Sequence, residues 1–491
     1  MHVRQVVRPP RLANVGLERD DGPGSSPELD RVDEDQRVDR LVELLDEVDP
    51  PDADVHHADA GRDSFLLEAL SDDDAEPVVP AQDVPDSGDD HPHVDHHTGV
   101  IEELEQRLAR YPADRYPVQH ATAQFHLGVA LTNARAPEEA RTALERAVVL
   151  FAEAGLEPER AKALNALGAA QREAGDLEGA ARAFAEAAEA FSGAGLPLEE
   201  GAARFNLGLV RRDPEPLRRA RALFGEARTV APISAAAREL GAVLFEQGEL
   251  DEAAVVLDEA AALAERAGDE AGRGAAVNTL GLVRLAASRT SEAIDLFRFA
   301  VACHPRSVRP AEFAMAKANL ALAYERERDA ARARLAARQA LGVAEAPTSV
   351  VQEAEGVLAR LGPVSQDLAA VLDDEPEERR GAIVREELVR WSDAAPTQRL
   401  ADAELWVDTQ LARPELAESW LGSLLELPPD AMERVIRSTL EALASRGADD
   451  AERFRLDVVA ASVRFHVPQL ERLRATFERI WVEIGGAGSW T

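Results

Sequence analysis

An all-α solenoid of paired helices, followed by a second helical domain, is what this sequence predicts, and three observations carry the prediction. A Leu-Gly dipeptide recurs as Leu127-Gly128, Leu167-Gly168, Leu207-Gly208, Leu240-Gly241 and Leu280-Gly281, with Leu320-Ala321 as a sixth copy, in steps of 40, 40, 33, 40 and 40 residues. At a fixed offset after each comes an apolar stripe of helical spacing: Ala140, Leu144, Ala147; Ala180, Phe184, Ala187; Ala220, Phe224, Ala227; Ala253, Leu257, Ala260; Ala293, Phe297, Ala300; and Ala333, Ala337, Ala340. The third observation is composition: 45% hydrophobic residues but only 4% aromatic, which favours closely packed Ala- and Leu-rich helices over strands.

The second copy shows why the pattern means helix pairs. Leu167 and Gly168 fall on a first helix, Gly175-Asp176 supplies a turn, and Ala180, Phe184 and Ala187 line one face of a second helix. Gly and Ala let two backbones approach while Leu and Phe fill the seam between them. One pair cannot cover its own apolar face, so the copies must stack.

Taken in order, residues 1–97 differ in character from the rest. They hold 20 Asp and 7 Glu against 8 Arg and no Lys, a formal charge of −19, and seven of the eleven His. Poor helix formers and dense like charge predict a disordered segment. Within it, Arg40–Val48 and Asp63–Leu70 are short amphipathic stretches of the kind that dock in a groove. A second reading is a mis-assigned start, because no Met lies between Met1 and Met315 and the composition changes near Val100. His56, His57, His91, His93, His96 and His97 include a metal-like spacing, but without thiolates or an ordered scaffold no metal site is expected.

From residue 98 the pattern is helical. Ile101, Leu104 and Leu108 predict a leading helix that Tyr111-Pro112 ends. Six helix pairs follow as far as Leu341, the third least regular because Pro214 and Pro216 stand where other copies have Gly-Asp or Gly-Glu. Pro347 breaks the chain, and Val350–Leu361 predicts a capping helix, so the array occupies 98–362. Residues 363–380, with Asp373-Asp374-Glu375-Pro376-Glu377-Glu378, read as an acidic linker. Residues 381–485 are again helical but lose the Leu-Gly register. All five Trp lie there or just beyond, and Trp391, Trp406 and Trp420 are spaced as one core anchor per helix. Pro396, Pro414, Pro428-Pro429 and Pro468 mark helix starts, giving five or six helices that form either a second domain or a divergent extension of the solenoid.

The repeated L-G-x-x-Y and A-x-x-x-F-x-x-A positions resemble the tetratricopeptide repeat family over residues 100–362. The Trp expected early in the first helix is absent from every copy, and the aromatic three residues after Gly survives only as Tyr324. The 40-residue period also exceeds the usual 34, which implies second helices longer by a turn or more. The resemblance implies a right-handed solenoid whose first helices line a concave groove. Its inward positions then fall on Phe125, His126, Asn133, Lys162, Asn165, Ala169, Arg172, Phe205, Asn206, Arg212, Arg238, Phe245, Asn278, Leu282, Met315, Asn319 and Arg326. Asn recurs just before the Leu in four copies, and an amide that both donates and accepts suits the backbone of an extended peptide. The basic members suit acidic side chains or a terminal carboxylate. The competing reading is structural, with Asn bonding the backbone of a neighbouring repeat and Arg pairing with Glu of the next helix.

The exclusions are broad. A formal charge of −36 argues against nucleic acid and anionic membrane as partners. Arg211, Arg212, Arg218, Arg219 and Arg221 read as a solvated, ion-paired helix face. The single Cys303 reads as a small packed residue, and no stretch is apolar enough to span a membrane, which together point to the cytoplasm. Lys162 and Lys317 are the only lysines among 55 basic residues, a composition that reads as a GC-rich, bacterial gene. No Gly-Lys-Ser/Thr loop, H-E-x-x-H, G-x-S-x-G or C-x-x-C occurs, and neither a cofactor nor a catalytic residue is expected. The expected function is a scaffold or adaptor that binds another protein or peptide in the groove. The alternative is a signalling or transcription-associated regulator whose repeats sense a small peptide, and a third class is an enzyme built on the C-terminal domain, which would require a pocket among its helices.

Overall fold

The computed structural model describes residues 96–344, 346–362, 366–486 and 489–490; the expectations for residues 1–95 lie outside them. Among the described residues the chain forms 21 α-helices and no strand. A leading helix α1 (His96–Arg110) is followed by α2 (Pro117–Asn133) and α3 (Pro137–Glu153), α4 (Glu157–Glu173) and α5 (Leu177–Ala194), α6 (Pro197–Arg211) and α7 (Pro214–Glu226). Next come α8 (Val230–Gln247) and α9 (Leu250–Arg266), α10 (Glu270–Ala286) and α11 (Thr290–Cys303), α12 (Pro310–Glu327) and α13 (Ala330–Leu341), then α14 (Thr348–Leu361). Each helix packs against the next in sequence, and the first helices of neighbouring pairs also approach one another.

Local chemistry fixes the ends. Proline occupies the first turn of α2, α3, α4, α6, α7 and α12, where its missing N–H costs nothing. Asp176, Asp269 and Asp329 cap α5, α10 and α13, accepting backbone N–H bonds from Gly179, Gly272 and Arg332 at 2.8, 2.7 and 3.0 Å. Such a cap contributes about 1 kcal/mol over alanine. Added length falls on both helices of a pair, 17 residues in α4 and 18 in α5, and not on the second helix alone.

The Leu-Gly glycines are seam residues. A Cβ at Gly128, Gly168, Gly241 or Gly281 would stand 2.4–2.7 Å from Leu144, Phe184, Leu257 or Phe297, the large residue 16 positions later. The third pair departs from the offset expected from counting: Gly208 is covered by Leu217, and Phe224 lies over Gly201 instead. α7 starts six residues after Gly208, where the other second helices start nine after their glycine or its alanine counterpart, and has 13 residues against 17 in α3; the three and the four together account for the 33-residue step.

After α14 come α15 (Asp367–Asp374), α16 (Glu377–Asp393), α17 (Pro396–Ala412), α18 (Leu416–Glu426), α19 (Pro429–Ala444), α20 (Ala448–Ser462) and α21 (Val467–Glu483). The acidic segment read as a linker is therefore itself partly helical, and Asp367 is buried against Arg334 and Arg338 at 2.8 and 2.9 Å. In the bundle that follows, α16 pairs most extensively with α18, α17 with α19, and α18 with α20. All five Trp are buried. Trp406 stacks on Trp420 at 6.3 Å, Trp420 meets Phe454 and Phe477 edge-on or tilted at 5.6 and 5.9 Å, and Phe477 stacks on Trp490 at 5.0 Å. Each such pair is worth about 0.5–1.5 kcal/mol beyond its buried area.

Candidate functional site

The first-helix face is built from α2, α4, α6, α8, α10 and α12. Its asparagines are not an exposed ladder. Asn206 Nδ2 donates to Oδ1 of Asn165 at 3.2 Å, and Asn319 Nδ2 donates to Oδ1 of Asn278 at 2.9 Å. Asn165, Asn278 and Asn319 are at most 7% exposed. In each pair one Asn stands three residues before the seam position and its partner two before, so the amides meet where successive first helices cross. Bridging neighbouring repeats is thus their first role. Each pair uses one donor and one acceptor, leaving the NH2 of Asn165 and Asn278 and the Oδ1 of Asn206 and Asn319 for another partner.

The remaining groove candidates are distributed unevenly. Phe205 is 6% exposed and belongs to the core under α7 and α8, which corrects its reading as a groove residue. Arg238 pairs with Glu239 at 3.1 Å, Arg212 with Glu246 at 2.7 Å, and Arg326 donates to the Leu285 carbonyl at 2.8 Å. Arg172 is half-buried, and Lys162 is half-buried with no ion-pair partner among the described residues. Met315 is exposed. These residues share a face but do not form a concentrated basic patch, because glutamates and carbonyls of adjacent helices already meet most of them. The Arg-rich turn behaves likewise: Arg218 pairs with Glu252 at 2.7 Å and Arg221 with Glu259 at 3.2 Å.

Burial, not activation, governs the isolated reactive groups. The Cys303 thiol, at the end of α11, is pushed up to about 11 by burial and by Glu270. Burial lowers the His126 imidazole, with Arg107 acting in the same direction. No group of three or more His, Cys, Asp or Glu able to hold a metal occurs among the described residues, and no described helix is long and apolar enough to cross a membrane.

A second concavity, which residue spacing did not reveal, opens between the last helix pair and the bundle. It has a volume of about 260 Å³ and is lined by α11, α12 and α13 on one side and by α15, α16 and Glu375 between them on the other. The two sides are joined by charges. Lys317 Nζ meets Glu386 at 2.5 Å, Arg332 meets Glu375 at 2.9 Å, Arg306 meets Asp393 at 2.9 Å, and Gln339 donates to Glu387 at 2.9 Å. Burial alone would push the Glu387 carboxyl up, but Arg390, Arg338 and the Gln339 amide hold it below the ordinary range. The apolar clusters on either side of this junction remain separate. The one sequence signal was Lys317, one of two lysines in a chain that otherwise uses arginine.

Two tetratricopeptide-repeat family models match the chain, over residues 133–197 and 232–305. No curated protein matches it. Among solved structures, the apo form of RapI aligns at 12% identity over 72% of this chain and 98% of its own, with a TM-score of 0.44. A Rap protein complexed with competence and sporulation factor aligns at 13% identity over 72% and 100%, with a TM-score of 0.36. BtubC from P. vanneervenii aligns at 15% identity over 55% and 94%, with a TM-score of 0.29.

Proposed function

We propose that this tetratricopeptide-repeat protein is an interaction scaffold or adaptor that lays a polypeptide segment along its first-helix face. The observation that carries the reading is a first-helix face on which Lys162 has no ion-pair partner among the described residues and the half-buried Asn206, bridged to Asn165, keeps its Oδ1 acceptor unused. An extended backbone offers the complementary groups at regular spacing, so the face captures chain with little regard to its side chains. Lys162 adds an uncompensated positive charge near one end, which favours an acidic residue there. A single cysteine, kept buried, suits the reducing cytoplasm. The bundle interior is filled by stacked rings, and the reading assigns it no catalytic role.

The test is site-specific photo-crosslinking in the native cell. A photoreactive residue at Lys162 or Arg326, on the first-helix face, is expected to capture one polypeptide. The same residue at Val149 or Val255, exposed on second helices, is expected to capture none. Equal capture from both faces overturns the reading. A second reading, a regulator whose repeats sense a small peptide, is favoured by the charged junction, since ion pairs between two separate cores rearrange more readily than a shared core.

A further inference from the structure

The geometry points to the cleft between α12 and α16 as a second binding site, for an α-carboxylate beside an apolar side chain, with Lys317 receiving the carboxylate in place of Glu386. The site is independent of the first-helix face. Along α12, Lys317, Leu320 and Tyr324 lie on the side opposite Met315, Asn319 and Arg326, given 100° per residue.

Lys317 carries the argument. Its side chain is only 6% exposed, whereas its partner Glu386 is 34% exposed and comes from a helix across the cleft. Removing the partner of a buried cation without replacement is strongly unfavourable, but a carboxylate that enters the cleft replaces it while Glu386 turns to water. A neutral amide offers no such exchange. An ammonium also suits a small cavity better than a guanidinium, because its three donors accept a partner from several directions without a planar fork.

The rest of the lining fixes the other end of the ligand. Val301, Leu320, Leu335 and Ile383 supply an apolar wall. At about 260 Å³ the cleft lies just below the range of drug-sized ligand pockets, roughly 300 to 1,000 Å³, so it admits one or two residues and not a helix. The shared chemistry has two sources, the C-terminus of a peptide and a free amino acid. For the second, Glu378, at the exposed rim, is placed to take the ammonium group.

The test titrates the full chain, by calorimetry, with acetyl-Ala-Leu as the free acid, with the same dipeptide as its C-terminal amide, and with free leucine. At least one acid is expected to bind, with the amide at least tenfold weaker than the dipeptide acid. Binding of acetyl-Ala-Leu alone identifies a peptide terminus, and binding of leucine alone identifies an amino acid. Lys317→Met is expected to abolish binding and Val255→Ala, exposed on α9 and in neither site, to leave it within twofold. Because Lys317 is buried, Ala382→Trp provides a second variant: it places a ring at the exposed rim, removes no charge, and should block entry. No binding of either acid up to millimolar concentration, equal binding of acid and amide, or binding that survives both variants overturns the proposal.

Discussion

The repeat array and the C-terminal bundle bury their helices by opposite means. In the array each helix packs on its neighbour in sequence, and the seam is a glycine under one Leu or Phe, at the same offset in four of the pairs. In the bundle the main partner is the helix two places along, and the interior is a continuous set of aromatic rings. Contacts that are local and repeated can be counted in a sequence; contacts made once, between helices that are not consecutive, cannot. The same contrast implies that the array yields by segments while the bundle yields as a whole.

The largest effect should come from the ring that joins the bundle. Trp420 is fully buried and touches Trp406, Phe454 and Phe477. Truncation to alanine should cost about 3–5 kcal/mol. Because all Trp lie after residue 390, Trp fluorescence follows the bundle alone, and its transition in Trp420→Ala should move to much lower urea while most far-UV helicity persists. Loss of both signals together would make array and bundle one cooperative unit and remove the contrast.

A smaller effect probes the seam. Alanine is the better helix former by about 1 kcal/mol. At Gly168, however, its Cβ would stand 2.7 Å from the Phe184 ring, which is fully buried and cannot swing away. The overpacking should win, for a net loss of about 1–3 kcal/mol in urea melts followed by far-UV signal. Gly193→Ala, with open space around its Cβ, should be neutral or stabilising. Equal results at the two positions would mean that close approach is not why the seam uses glycine.

How much was legible follows from the same contrast. Five seam glycines and the stripe after each could be read by counting, and the structure keeps four of those registers. The third failed for a physical reason. Seven residues are two helical turns, so a seven-residue shortening leaves the stripe in phase, and Phe224 retains the expected offset although Leu217 has taken its place over Gly208. The groove asparagines were also visible, but not their pairing, which joins residues 41 apart. Lys317 and Glu386 are 69 apart and obey no period, so the cleft had no signature beyond an unusual lysine.

Acid should separate the array from the junction most subtly. In the array, burial pushes the Asp258, Glu259 and Glu353 carboxyls up, each opposed by an arginine, so their cost is relieved as pH falls through the raised values. At the junction, Glu387 is held below its ordinary 4.5, so its contribution is present above that pH and is lost as pH falls through the depressed value. Exposed Glu433 and Glu483, held down by Arg479 and Arg437, act in the same direction but are screened by solvent. Trp391 lies beside Glu387 in the lining of a small cavity at this junction. Its fluorescence should therefore change on acidification below about 4.5, before far-UV helicity declines. Glu387→Gln, which cannot titrate, should remove that early change and leave the later one. If the early change persists in Glu387→Gln, the acid-sensitive element lies within the bundle, and the two regions differ in packing but not in electrostatics.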